Sequence, residues 1–233
     1  MKKLISALFF VVLSVLPAMA DVNLSDDFGR HFGPNSNLRA YNQDIINLIG
    51  TADFHAANAP SFPGFNVGLL FNAVKTAKDN NISSEDYMAA GFLSAATKLP
   101  VIDVGVVVRG THFNGLESIG GGLTYNKTVL EVFNVSVGGF YDHASTDYYS
   151  LNHYSVSAMA STNLLIFTPY VGAGYDWGDF STRRFAQNRS TNDGAARYTL
   201  GVNVQWMPFV YLFGAYTHTQ NNGSFNGGVG FSF

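Results

Sequence analysis

The sequence predicts an all-β fold: a closed antiparallel transmembrane β-barrel of about ten strands, within a range of eight to twelve, with a short N-terminal helical segment. Three observations predict it. From residue 65 onward, apolar residues alternate with polar or small ones at a period of two. The chain carries 20 Phe, 12 Tyr and 24 Gly, and rings at a lipid boundary with glycines in strands are a barrel composition. No apolar run after residue 20 reaches the roughly 20 residues that a helix needs to cross about 30 Å of hydrocarbon.

Residues 1–20 read as an export signal. Lys2 and Lys3 form a basic start, Leu4 to Leu16 an apolar stretch, and Ala18-Met19-Ala20 a small-residue cleavage site. Removing them leaves 11 basic against 16 acidic residues, a net charge of −5 that argues against nucleic acid as a partner. With no cysteine, disulfides and lipid attachment at a processed cysteine are excluded. Residues 21–60 form a second region, a plug or periplasmic cap. Within it, Leu38, Tyr41, Ile45, Leu48 and Ile49 repeat at three and four, the pattern of one helical face over 37–49, with Gly50 as a stop. That apolar stripe predicts contact with the barrel interior or its periplasmic mouth.

Residues 61–233 supply the barrel. Ten segments of spanning length lie at 65–75, 86–97, 101–111, 117–126, 132–143, 151–162, 166–180, 195–207, 209–219 and 223–233. The connections predicted to face outward, such as 76–85, 144–150 and 181–194, are polar and mostly longer than those at the other end, such as 98–100 and Pro208, as in bacterial barrels. A soluble sandwich would use the same alternation, but its strands average five or six residues. Segments 2 and 9 are apolar on both faces (Met88, Phe92, Leu93; Tyr211, Leu212, Phe213), which leaves their orientation open.

At the chain end Phe225, Val229, Phe231 and Phe233 fall on alternate positions with Gly227, and Phe233 is terminal. This resembles the C-terminal strand signature of Gram-negative outer-membrane barrels, and the resemblance implies recognition by the barrel-assembly machinery. The run Phe167-Thr168-Pro169-Tyr170-Val171-Gly172-Ala173-Gly174-Tyr175 is similar to strands of small outer-membrane barrels with a helical N-terminal segment. The implied location is the outer membrane, with its lipid and lipopolysaccharide as partners.

Strand parity points Asp103, Arg109, Asp142, Asp176, Arg197, Asn203 and Gln205 toward the lumen. An Asp/Arg network bracing the interior is the favoured reading, ahead of a polar lining that selects a solute. His112, His143, His153 and His218 fall near outer strand ends, with Asp142, Asp147 and Ser155 close by, so a hydrolytic rim site enters as a third reading. No G-x-S-x-G or H-E-x-x-H spacing supports it, and the histidines lie on different strands without a local pair for a metal. Arg183, Arg184 and Arg189 make one outer loop basic, read as solvated rather than phosphate-binding. Trp177, Tyr175, Trp206, Tyr211 and Tyr125 read as an interface girdle. The function expected is structural or surface-interacting rather than enzymatic, without cofactor or metal. The alternative is a narrow channel or binding barrel for a small solute, hydrophobic or otherwise, with residues 21–60 as plug; a lipid or peptide hydrolase ranks last.

Overall fold

The computed structural model describes residues 23–53, 64–100, 102, 104–129, 132–186 and 188–233. Residues 1–20, where an export signal is expected, and residues 54–63 lie outside them. Ten strands follow the period-two alternation: β1 (Asn66–Lys75), β2 (Tyr87–Lys98), β3 (Val104–Phe113), β4 (Leu116–Val129), β5 (Phe133–Ser145), β6 (Tyr149–Thr162), β7 (Phe167–Thr182), β8 (Ser190–Met207), β9 (Val210–Thr219) and β10 (Gly223–Ser232). Each pairs antiparallel with its sequence neighbours. β10 closes on β1 in a ladder running from Asn66↔Ser232 to Val74↔Ser224, so no edge is left for lipid to meet.

The two faces obey opposite rules. Leu69, Leu93, Val108, Ile119, Leu123, Val137, Val156, Val171 and Leu200 point outward and are exposed, an apolar belt suited to acyl chains. Around one rim Tyr141, Tyr154 and Trp177 lie side by side on β5, β6 and β7, with ring centroids 5.1 and 5.9 Å apart. At the other rim, where the chain ends, Phe65 stacks on Phe233 at 5.1 Å. Among the described residues no helix is long and apolar enough to cross a membrane.

Several connections differ from expectation. The outer ones shrink to 146–148 and 183–189 because β5 to β8 continue past the membrane region. One of them is the two-residue turn Asn114-Gly115. Both residues hold positive φ (53° and 75°), the pairing that a tight hairpin requires and that asparagine and glycine supply most cheaply.

The outer part of the lumen is filled by the N-terminal segment, which forms two helices where one was expected: α1 (Leu24–His31) and α2 (Leu38–Gly50). In α1 the Asn23 side chain accepts from the Ser25 and Asp26 amides, while Asp26 and Asp27 face the positive end of the helix and Arg30 and His31 the negative end. α2 is buried on nearly all sides rather than along one stripe, including Asp44, Asn42 and Asn47, because strands surround it. Ile45, Ile46, Leu48 and Ile49 are fully buried, each contributing about 1.5–3 kcal/mol relative to water.

This settles the two-faced strands. Met88 and Phe92 on β2 and Phe213 on β9 point inward and join one core with Leu70, Val74 and α2, while Leu93 faces lipid. Tyr211 packs against that core, not in the girdle, because parity aligns it with Phe213.

Candidate functional site

Below the end of α2, a short helical turn carries Asp53 to the middle of the lumen, where five strands meet it with charged or hydroxyl side chains. Arg109 (β3) grips Asp142 (β5) with two hydrogen bonds, Nε to Oδ1 at 2.7 Å and Nη2 to Oδ2 at 2.5 Å, and donates through Nη1 to Asp53 at 2.6 Å. His153 (β6) bridges Asp142 (Nδ1, 2.9 Å) and Asp176 on β7 (Nε2, 3.0 Å). Arg197 (β8) donates to Asp176 at 2.8 Å and through Nη2 to Asp53. The ion pairs close on themselves in the order Asp53, Arg109, Asp142, His153, Asp176, Arg197 and back to Asp53, with charges alternating at every step. Ser155 adds a hydrogen bond to Asp53 at 2.6 Å.

All seven residues are at most 4% exposed. Burying charge is tolerable only when each is paired and hydrogen-bonded, and this ring satisfies every carboxylate from two or three sides. Both nitrogens of His153 face carboxylate oxygens, so both must donate, which makes the ring an imidazolium. Three positive groups then balance three negative ones. The Arg109 guanidinium also lies 5.1 Å over the Phe140 ring.

Of the residues that parity directs inward, the structure brings together Arg109, Asp142, Asp176 and Arg197. Asn203 faces the lumen but lies outside the ring, and Gln205 sits at the open short-turn end, donating to the Met207 carbonyl at 2.6 Å. Asp103 is outside the described residues. His153, Ser155 and Asp53 complete the ring. Sequence reasoning placed the first two at the rim and passed over Asp53, whose partners lie 56 and 144 positions away. Parity and the register Asp142↔His153 are the signals that could have found the histidine.

The other histidines are dispersed. His112 pairs with Glu117 across an exposed hairpin at 3.1 Å, and His143 contacts Asn152 at 2.8 Å. Among the described residues no group of three or more His, Cys, Asp or Glu is arranged to hold a metal. In the arginine-rich loop, Arg184 pairs with Asp147, whereas Arg189 bonds the carbonyls of Gly33 and Ser36 and lies over the Phe32 ring.

The upper part of the lumen is tied to every outer connection. Ser84 donates to Asp27, Leu24 donates through its amide to the Asn114 carbonyl, and Tyr148 packs against the core that holds α1. Arg189 holds the link between the two helices, and Asp44 accepts from Asn222 as well as from the Ala77 amide (3.1 Å) and Asn80 (2.6 Å). Arg39 and Gln43 grip Asp193 near the top of β8.

No protein-family model matches the chain, and no curated protein sequence does. Solved structures do. An outer-membrane channel from Pseudomonas putida F1 superposes with a TM-score of 0.50 at 11% identity, over 73% of this chain and 96% of the other. The translocator domain of the autotransporter NalP from Neisseria meningitidis gives 0.43 at 12% over 80% and 93%, and the N-terminal barrel domain of Pseudomonas aeruginosa OprF gives 0.41 at 12% over 73% and 97%. Identities this low concern architecture alone, and the two scores below 0.5 add no weight. With its closed sheet and apolar belt, the chain has the fold of a small outer-membrane β-barrel protein and is suited to that membrane.

Proposed function

We propose that this chain is a sealed outer-membrane barrel with a structural or surface-presenting role, its N-terminal helices acting as a fixed stopper rather than as a gate in an open pore. One observation carries the reading: every outer connection holds α1, α2 or the link between them, while the charge ring anchors the lower end of the segment. A displaceable plug would need to break both buried ion pairs of Asp53 at once, each about 3–5 kcal/mol to leave half-made.

The same geometry disfavours hydrolysis. Ser155 donates to Asp53 rather than to His153, both nitrogens of His153 are engaged, and the group is shielded on every side. A nucleophile needs a neighbouring base with a free lone pair. Lipid and lipopolysaccharide around the barrel, and the assembly machinery acting on the β10 residues Phe225, Val229 and Phe231 and on Phe233, are the partners this reading assigns.

Planar-bilayer recording tests it. The full mature chain is expected to give no discrete conductance steps at neutral pH. Regular, reproducible steps from the intact chain would overturn the sealed-barrel reading in favour of a channel.

A further inference from the structure

The outward wall of β5, β6, β7 and β8 changes character in steps along the barrel axis, and the strand register sets those steps in rows. Just beneath the aromatic rim a shallow groove of about 810 Å3 runs from β4 to β7. Leu123, Tyr125 and Tyr175 stand exposed at its sides, and Gly139, Ala158 and Ala173 form its floor. We propose that this wall docks a glycolipid, with an acyl chain in the groove and an uncharged, hydroxyl-rich headgroup over the rows above it. The inference rests on outer-membrane lipid being the partner of the apolar belt, and not on whether the lumen is sealed.

The groove comes first, because nothing inside the protein requires its floor to be so low. A Cβ at Gly139 would meet only the Ser155 carbonyl oxygen, at 3.9 Å, which is an ordinary contact, and the backbone there is not in the left-handed region. The register on both sides of Gly139 is unbroken, so no bulge calls for glycine either. Glycine within a strand weakens it, and close approach of a ligand from outside the sheet is the use that fits this position. The groove opens onto the lipid belt, where the molecules within reach are linear and apolar.

Above the groove the rows turn polar in the order in which a lipid would meet them. Tyr141, Tyr154 and Trp177 make the first row, with rings suited to headgroup depth. Next in register come His143, Asn152, Asp179 and Asn192, and beyond them Ser145, Ser150, Ser181 and Ser190, in rows about 7 Å apart and about 14 Å long. The Asn152 side-chain oxygen accepts from the Tyr141 hydroxyl at 3.1 Å and faces Nδ1 of His143 at 2.8 Å, while Asn192 donates to one Asp179 oxygen at 2.6 Å. The Asn152 NH2 group, the second Asp179 oxygen and the serine hydroxyls remain for a guest, donors and acceptors together. Sugar hydroxyls both give and take hydrogen bonds. A phosphodiester only accepts, and it would meet the Asp179 carboxylate with no Lys or Arg in these rows to offset the repulsion.

The test is native mass spectrometry of the full mature chain, folded in detergent micelles and titrated with digalactosyl diacylglycerol or with phosphatidylglycerol carrying the same acyl chains. Saturable binding of the galactolipid is expected, roughly tenfold tighter than that of the phospholipid. Gly139→Leu, which fills the groove, should weaken both lipids severalfold. The Asn152→Ala/Asp179→Ala double variant, changed only on the outer wall, should weaken the galactolipid severalfold and leave the phospholipid no weaker. Should Gly139→Leu not fold, the double variant supplies the comparison alone. Equal affinity for the two lipids, undiminished galactolipid binding in whichever variants fold, or chains that pair through this wall in place of lipid would overturn the proposal. A barrel that shows no conductance and does not distinguish the lipids would defeat this inference and leave the sealed-barrel reading standing; regular conductance steps from a barrel that prefers the galactolipid would do the reverse.

Discussion

Asp53 receives donors from three different strands, Arg109 on β3, Ser155 on β6 and Arg197 on β8, and so couples the N-terminal segment to half of the barrel wall. Its position depends on Gly50, three residues earlier. A Cβ at Gly50 would collide with the Arg197 guanidinium and the Asp176 carboxylate, so only glycine lets the helix backbone rest on the ring. Gly50→Ala should therefore push Arg197 away from its partners and destabilise the barrel by about 3–5 kcal/mol, the cost of breaking a buried pair, in urea unfolding from micelles. A change under 1 kcal/mol would mean that the ring yields freely. His153 offers a direct readout: 15N NMR at pH 7 should show both ring nitrogens protonated. A neutral tautomer would contradict the alternating ring.

At the scale of elements, the strands were legible because lipid and lumen impose a strict period of two, and every expected segment overlaps an observed strand. The face of α2 was legible for a related reason, since apolar residues at three and four mark a helix in any apolar setting. α1 was not. It offers only Leu24 and Phe28 as an apolar pair beside Asp26 and Asp27, and it is held by aromatic contacts from distant strands: Phe28 lies 5.0 Å from the Tyr149 ring and 5.9 Å from that of Phe180. Arg109, Asp142, Asp176 and Arg197 share the inner face by counting alone. Their closure into a ring was not readable, because it needs Asp53 from another element and a histidine that counting from the loops left at the rim. Those loops were overestimated, since β5 to β8 extend beyond the lipid and make a buried level out of what the sequence suggests is an edge.

For the molecule as a whole, the outer mouth should respond to acid through Asp44. Burial pushes its carboxyl up to about 6, against the pull of Asn80, the Ala77 amide and Asn222 and with Asp79 adding to the rise. A carboxyl raised on folding contributes stability that is fully present below its ordinary value near 4 and is lost as pH rises through about 6. Unfolding free energy should thus decline by up to roughly 3 kcal/mol between pH 4 and pH 7 from this group. Asp44→Asn should flatten that part of the profile; an unchanged slope in the variant would assign it elsewhere. The seam between β1 and β10 carries a different consequence. The helices precede β1 in the chain, yet the container that holds them exists only after β10, the last of the ten described strands, has zipped onto β1. Enclosing the cork and sealing the bottle are therefore coupled events, and a polypeptide that closed around an empty interior would leave Arg109 and Arg197 each short of the Asp53 carboxylate and its inner wall with one buried positive charge uncompensated.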